Sequence, residues 1–262
     1  DDDRPKHDRD NNGIVEPWEF ANETVITGNK RLFAGAANQS CVIDGVTLTT
    51  TAETYDGATI QLYPGNVLRN SVVTGCNNAR RGVILVDGGQ LLSCYVHNNK
   101  SNSDRGCIFV HDNNKSHPST ISHCRIENNT AQYGGGIYSR AGNYRVNIIN
   151  NLIVGNEATM RGGGVYAGSG SSAPANVWLL NNTIMNNQVS HNSASEGGNG
   201  DGSGVFAEGG IYAYNNVIAN NTGPAGCRQV ANSNKGGNFW FEYNAIQNLD
   251  DIDWTAASGS AI

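Results

Sequence analysis

Residues Ile126 to Gly168 read IENNTAQYGGGIYSRAGNYRVNIINNLIVGNEATMRGGGVYAG. Two units recur in order within this stretch: Ile126-x-x-Asn129 followed by Gly134-Gly135-Gly136-Ile137-Tyr138, then Ile153-x-x-Asn156 followed by Gly162-Gly163-Gly164-Val165-Tyr166. A fixed order of apolar, amide and glycine positions returning every 20–50 or so residues marks a solenoid, because one such unit cannot bury its apolar face alone.

Extending the alignment in both directions gives a column of apolar anchors: Leu48, Val73, Val96, Ile126, Ile153, Ile184, Ile218 and Ile246. Their spacing runs from 23 residues (Val73 to Val96) to 34 (Ile184 to Ile218), enough for two or three short strands and their loops. Two residues before the anchors stand Val46, Ser71, Cys94, Cys124, Asn151, Asn182, Asn216 and Asn244, which strand alternation puts on the anchors' own inward face. Just after the anchors come Asn98-Asn99, Asn128-Asn129, Gly155-Asn156, Asn186-Asn187 and Asn220-Asn221, a turn column whose amides stack. A second strand opens on glycine at Gly82-Val83-Ile84, Gly106-Cys107-Ile108, Gly135-Gly136-Ile137, Gly163-Gly164-Val165 and Gly204-Val205-Phe206. Short β-branched runs broken by Asn and Gly argue against amphipathic helices. The expectation is an all-β parallel β-helix of about eight coils, a rod roughly 40 Å long at about 4.8 Å per coil. Residues 24–262 form it, with an irregular tail from Asp250, and residues 1–23 form an acidic segment that caps one end.

Composition narrows the partners. The net charge is −6 and no lysine/arginine cluster occurs, so nucleic acid and anionic membrane surfaces, which need a basic patch, are disfavoured against neutral or calcium-bridged ligands. No apolar run has the length of a membrane span. The six cysteines include no C-x-x-C; Cys94 above Cys124 reads as an inward stack of thiols.

The Ile-x-x-Asn and Gly-Gly-Ile units resemble the repeat of the polymorphic outer-membrane proteins and the wider pectate-lyase-like superfamily of right-handed parallel β-helices, from about Val42 to Asn248. That resemblance implies a right-handed solenoid that is secreted or on the cell surface and acts on or binds polysaccharide. Members include lyases, glycosidases, adhesins and tail-spike proteins, so fold analogy alone does not choose among them.

Asp8-Arg9-Asp10-Asn11-Asn12-Gly13-Ile14-Val15-Glu16-Pro17-Trp18-Glu19 fits the calcium-loop template D-x-[DN]-x-[DN]-G-x₅-E at every specified position. Asp8, Asp10 and Asn12 place oxygens at alternate positions, Gly13 turns, the Ile14 carbonyl faces the ion, and Glu19 closes bidentately. The loop resembles those of EF-hands and dockerins and implies a structural calcium, although the residues before Asp8 do not read as an entering helix. An acidic tail that matches by chance is the alternative.

Most outward positions beside the anchors are plain, but two neighbouring rows carry Ser93, Tyr95, His97 and His123, Arg125, Glu127. Tyr95, His97, Arg125 and Glu127 form the candidate catalytic set: an arginine for a sugar carboxylate, with His, Tyr or Glu as acid or base. The same residues would also make cross-strand ion pairs on a solvated face. A second grouping sets Arg81 beside Arg105 and Asp87 beside His111, with Asp104 and Asp112 nearby; ordinary loop charges are its alternative. No aspartate set of the lyase type and no Gly-His-Gly with paired aspartates is found. The expected function is therefore a non-catalytic polysaccharide-binding or adhesion module, with a lyase or glycoside hydrolase acting on an acidic glycan as the alternative.

Overall fold

A computed structural model describes residues 19, 23–36, 39–53, 57–78, 81–111, 117–141, 144–169, 176–190, 202–233 and 239–247. The calcium-loop positions Asp8, Asp10, Asn12 and Ile14 and the tail from Asp250 lie outside them. Glu19 lies inside and is buried, 3% exposed.

Every ladder among the described residues is parallel, and the ladders build four sheets that the chain visits in turn. Sheet 1 contains nine strands, one at each of the eight anchors and one before them, from Val25–Gly28 through Tyr95–His97 and Arg125–Glu127 to Ala245–Ile246. Sheet 2 has five, from Asn77–Asn78 to Gln188–Val189. Sheet 3 has eight, from Phe33–Ala34 to Val230–Asn232, and sheet 4 has eight, from Cys41–Asp44 to Phe239–Glu242.

The expectation of about eight coils is corrected by these ladders to about six turns. Five turns carry a strand in all four sheets, and the turn that starts at Val217–Ala219 completes its sheet 2 side with the bridge Gln188↔Thr222. The two amino-terminal rows, starting at Val25–Gly28 and Thr47–Thr50, have no sheet 2 strand among the described residues, and Ala245–Ile246 stands alone at the other end. The anchor column counts sheet 1 rows, and a row on one side is not a closed turn.

The column two residues before the anchors does not continue the anchors' strand upstream: a corner between sheets 4 and 1 intervenes, as between Val146–Ile149 and Leu152–Val154. Three residues before the anchor the backbone is left-handed at Gly45, Asn70, Ser93, His123, Asn150, Asn181, Asn215 and Tyr243. Two residues after it the backbone is left-handed again at Gly75, Asn98, Asn128, Gly155, Asn186 and Asn220. Asparagine and glycine adopt this region most readily, which explains why they fill the second column and most of the first.

The residue beyond each corner turns inward. Asn99, Asn129, Asn156, Asn187 and Asn221 stack as a buried ladder: each Oδ1 after the first accepts the backbone N–H and the Nδ2–H of the asparagine one turn earlier, at 2.9 to 3.1 Å. Gln229 ends it, its Oε1 accepting from Asn221 N and Nδ2 at 3.1 and 2.8 Å. A second ladder runs Asn151, Asn182, Asn216, Asn244 on the other side of sheet 1. Buried amides are tolerated because every donor finds an acceptor. Upstream the column holds Cys124, whose N–H donates to Asn151 Oδ1, and Cys94, whose N–H donates to Cys124 Sγ at 3.5 Å. None of the six cysteines, all among the described residues, is in a disulfide. Inside the ladders the anchors and the inward residues of sheets 3 and 4 form one continuous core.

Candidate functional site

Parallel register brings the four predicted residues together, with Tyr95 beside Arg125 and His97 beside Glu127. Glu127 Oε2 accepts from the Tyr95 hydroxyl at 2.7 Å and from Arg125 Nε at 2.8 Å. The Arg125 guanidinium also lies 5.1 Å from the Tyr95 ring centre, and the Tyr95 and His97 rings stack at 4.0 Å. One carboxylate oxygen thus collects a phenol and a guanidinium, the pattern of a partly exposed charge network. Ser93 and His123 do not join it. They occupy the left-handed corners, and His123 Nε2 stands 3.1 Å from Asn150 Nδ2. Alternation along an unbroken strand had placed them on the face; the corner removes them.

His97 Nδ1 lies 2.9 Å from Asn98 Nδ2, an amide that can only donate, so in this pairing Nδ1 accepts and the neutral ring's proton is on Nε2. Burial lowers the His97 pKa, the Glu127 charge opposes that, and the Arg125 charge adds to it. With a folded pKa below the unfolded value of about 6.5, the unfolded chain takes up the proton first on acidification. The stability this histidine contributes is full above that pH and is lost as pH falls towards the folded pKa. Melting temperature is therefore expected to fall more for the wild type than for His97→Gln when pH is lowered through this range. Equal falls would remove His97 as the cause.

In the second grouping, His111 Nδ1 lies 4.0 Å from Asp87 Oδ2, and Arg105 Nε lies 3.6 Å from Asp104 Oδ1. Arg81 is exposed and Asp112 lies outside the described residues. Asp87 and His111 belong to a larger arrangement on the outer face of sheet 3. Leu85, Phe109, Tyr138, Tyr166, Phe206 and Ala231 are register partners in successive turns, and His111 pairs with Arg140 and Arg140 with Gly168 in the column two residues on. Glu208 follows Phe206 at the same offset.

These aromatics point away from the solenoid core, yet Phe109, Tyr166 and Phe206 are only 1%, 4% and 2% exposed. Side chains from the end of sheet 2 and the bend after it roof them. The Tyr133 ring lies 5.3 Å from Tyr166, the Arg105 guanidinium 4.7 Å from Phe109, and that of Arg161 5.0 Å from Phe206. Tyr138 is half-buried in the middle, edge-on to Tyr166 at 4.8 Å and 88°. Both tyrosine rings lean over Gly168: a Cβ there would come within 2.9 Å of each.

The Tyr166 phenol is pushed well above its ordinary pKa by burial, then by the charge of Glu208 and a hydrogen bond with it. Burial likewise raises Tyr138. Both phenols therefore stay protonated at neutral pH. The result is one half-buried ring, Tyr138, among covered aromatics, with Asp87, His111, Arg140 and Glu208 in the column two residues on and Arg105 and Arg161 over the neighbouring rings. Apolar ring surface, guanidinium donors and carboxylate acceptors are the groups that hold a sugar ring and its carboxylate. The signal was present in sequence, in the aromatic residue that ends Gly-Cys-Ile-Phe109, Gly-Gly-Ile-Tyr138, Gly-Gly-Val-Tyr166 and Gly-Val-Phe206.

Sheet 4 also carries aromatic side chains, but Trp178 has Tyr212 stacked at 4.6 Å and the Arg145 guanidinium at 4.0 Å from its ring centre. Among the described residues, no helix is long and apolar enough to cross a membrane, and no group of three His, Cys, Asp or Glu stands ready for a metal.

No curated protein matches the chain in sequence. Among solved structures, the A-module of mannuronan C-5 epimerase AlgE4 from Azotobacter vinelandii aligns at 12% identity over 92% of this chain and 91% of that chain, with a TM-score of 0.32. That likeness is too weak to bear on fold or function. The family described as right handed beta helix region matches residues 21–184, more than half of the chain. The parallel ladders agree with that description, and the chain belongs to the right handed beta helix region family.

Proposed function

We propose that this protein is a secreted or cell-surface polysaccharide-binding module that holds an acidic glycan along the outer face of sheet 3. The observation that carries the reading is the half-buried Tyr138, set among covered aromatic rings and bordered by Arg140 on one side and by Arg105 and Arg161 on the other. Binding without chemistry is the first reading. The second, a polysaccharide lyase or glycoside hydrolase, is favoured by the acid–base groups Glu208 and His111 beside the same rings, since proton transfer needs such a group at the reacting sugar. Tyr95, His97, Arg125 and Glu127 remain the alternative place for that chemistry. The reading also keeps a structural calcium held by Asp8, Asp10, Asn12, the Ile14 carbonyl and Glu19.

The test is retardation of the purified protein in native gels that contain polygalacturonate, alginate or a neutral polymer, with calcium and then with chelator, while unsaturated and reducing ends are assayed. Retardation by an anionic polymer is expected, weakened about tenfold by Arg140→Gln, the loss of roughly 1.4 kcal/mol that a charge-assisted hydrogen bond supplies. No retardation by either anionic polymer overturns the proposal. Product release abolished by Glu208→Gln would establish the enzyme reading on sheet 3; release abolished instead by Arg125→Ala or His97→Ala would move the chemistry to sheet 1. Weaker retardation in chelator would support the calcium loop.

A further inference from the structure

The carboxyl-terminal half of sheet 1 shows a different surface. Beyond the Tyr95–Glu127 network, the outward residues of four successive rows are Leu152 and Val154, Thr183 and Met185, Val217 and Ala219, and Ala245. None is ionisable. Leu152 and Val217 are 38% and 40% exposed, values that decide against their being spare core.

Both borders of this strip carry exposed amides. Asn150, Asn181 and Asn215 lie along one side and Asn186 and Asn220 along the other. Each comes from an Asn-Asn pair whose second member is locked in a buried ladder, so the doubled asparagines send one amide inward and hold the next at a fixed point outside. Along the strip the amides recur about every 4.8 Å, and its borders lie roughly 15 Å apart.

We infer that this strip is a second docking surface, for an uncharged polysaccharide presented as a solid face. Three features select that occupant. The absence of charge across four rows gives an ionic ligand nothing to pair with. The area, on the order of 200 Å², is well short of the roughly 800 Å² per partner of a standard protein interface, which disfavours a second copy of the chain. An apolar track between rows of amides matches a sugar's C–H face and its ring of hydroxyls, because each amide both donates and accepts. The ladders beneath hold the surface rigid, so little ordering opposes binding.

The inference rests on the reading of the chain as a polysaccharide-binding protein but not on the sheet 3 site. Depletion of the protein from suspensions of microcrystalline cellulose and of chitin tests it. Depletion by at least one solid is expected, insensitive to salt, and reduced at least fivefold in Leu152→Lys/Val217→Lys. The variant Asn181→Gly/Asn186→Gly/Asn215→Gly keeps the left-handed corners and removes only amides; it should bind more weakly with its melting temperature nearly unchanged. No depletion by either solid, or equal depletion by wild type and both variants, overturns the strip. Retardation by soluble anionic polymer is read separately: its absence together with depletion by a solid removes the sheet 3 site and leaves the strip, and its presence without depletion does the reverse.

Discussion

Asn156→Ala is expected to lower the unfolding free energy by about 3–5 kcal/mol and the melting temperature by about 10 °C. Asn156 Oδ1 accepts from Asn129 N and Nδ2 at 3.1 and 3.0 Å, and its Nδ2 donates to the Ile126 carbonyl and to Asn187 Oδ1 at 2.9 and 3.0 Å. Alanine removes the partner from an N–H, an amide and a carbonyl at once, in a place closed to water. Each such orphan costs about 1–3 kcal/mol, whereas the bond itself contributes less, so the effect comes mainly from what is left behind. The neighbouring Asn128 gives the contrast. It is exposed in a left-handed corner that glycine adopts freely, and Asn128→Gly is expected to stay within about 0.5 kcal/mol of wild type. Urea unfolding of the three proteins measures this directly; similar midpoints for the two variants would show that the ladder is not a major source of stability.

The same amides show what sequence can convey. Asn129, Asn156 and Asn187 were legible as a stacked column because identical residues at one offset from an apolar anchor occupy one equivalent place in every turn. Inward strands must be apolar and corners must accept positive φ, so anchors and turn residues declare themselves chemically. The number of closed turns was not legible, since Leu48 and its counterparts report one side of the rod, and the sides without strong patterns, above all sheet 2, decide closure. Ser93 and His123 were misplaced for a related reason: period-two alternation has no means of marking a corner. Tyr95, His97, Arg125 and Glu127 share one face because they follow the corner and lie within one strand register. Tyr138 and Tyr166 were visible as a column, but that Tyr133, Arg105 and Arg161 cover the rings around Tyr138 and leave it half-buried is a tertiary fact that no local pattern carries.

Gly163→Ala is expected to have a still larger effect and to break the rod in two. A Cβ at Gly163 would lie 2.4 Å from the Ser203 carbonyl oxygen and 2.6 Å from that of Gln188, and a Cβ at Gly135 meets Glu157 and Gly163 backbone in the same way at 2.5 Å. No flexible side chain stands in the way to yield. The opposing atoms are backbone fixed by ladder bonds, as where Gly164 N–H donates to Ser203 O at 3.3 Å and Gln188 N–H donates to Asn156 O at 2.8 Å. Relief therefore requires one turn to move off the next, at a cost above the 4–5 or so kcal/mol that marks the severe end of single substitutions. In a solenoid each turn depends on its neighbours, so the loss is felt where the two turns meet and propagates outward from there. Hydrogen exchange should show amides of Val205–Ala207 and Ile211–Tyr214 losing protection while Ile84–Val86 and Gln90–Leu92 keep theirs, and the melt should divide into two transitions. A single transition near the wild-type temperature would mean that the turns accommodate a methyl group, and that the glycine triplets serve the bend rather than the close approach of one turn to the next.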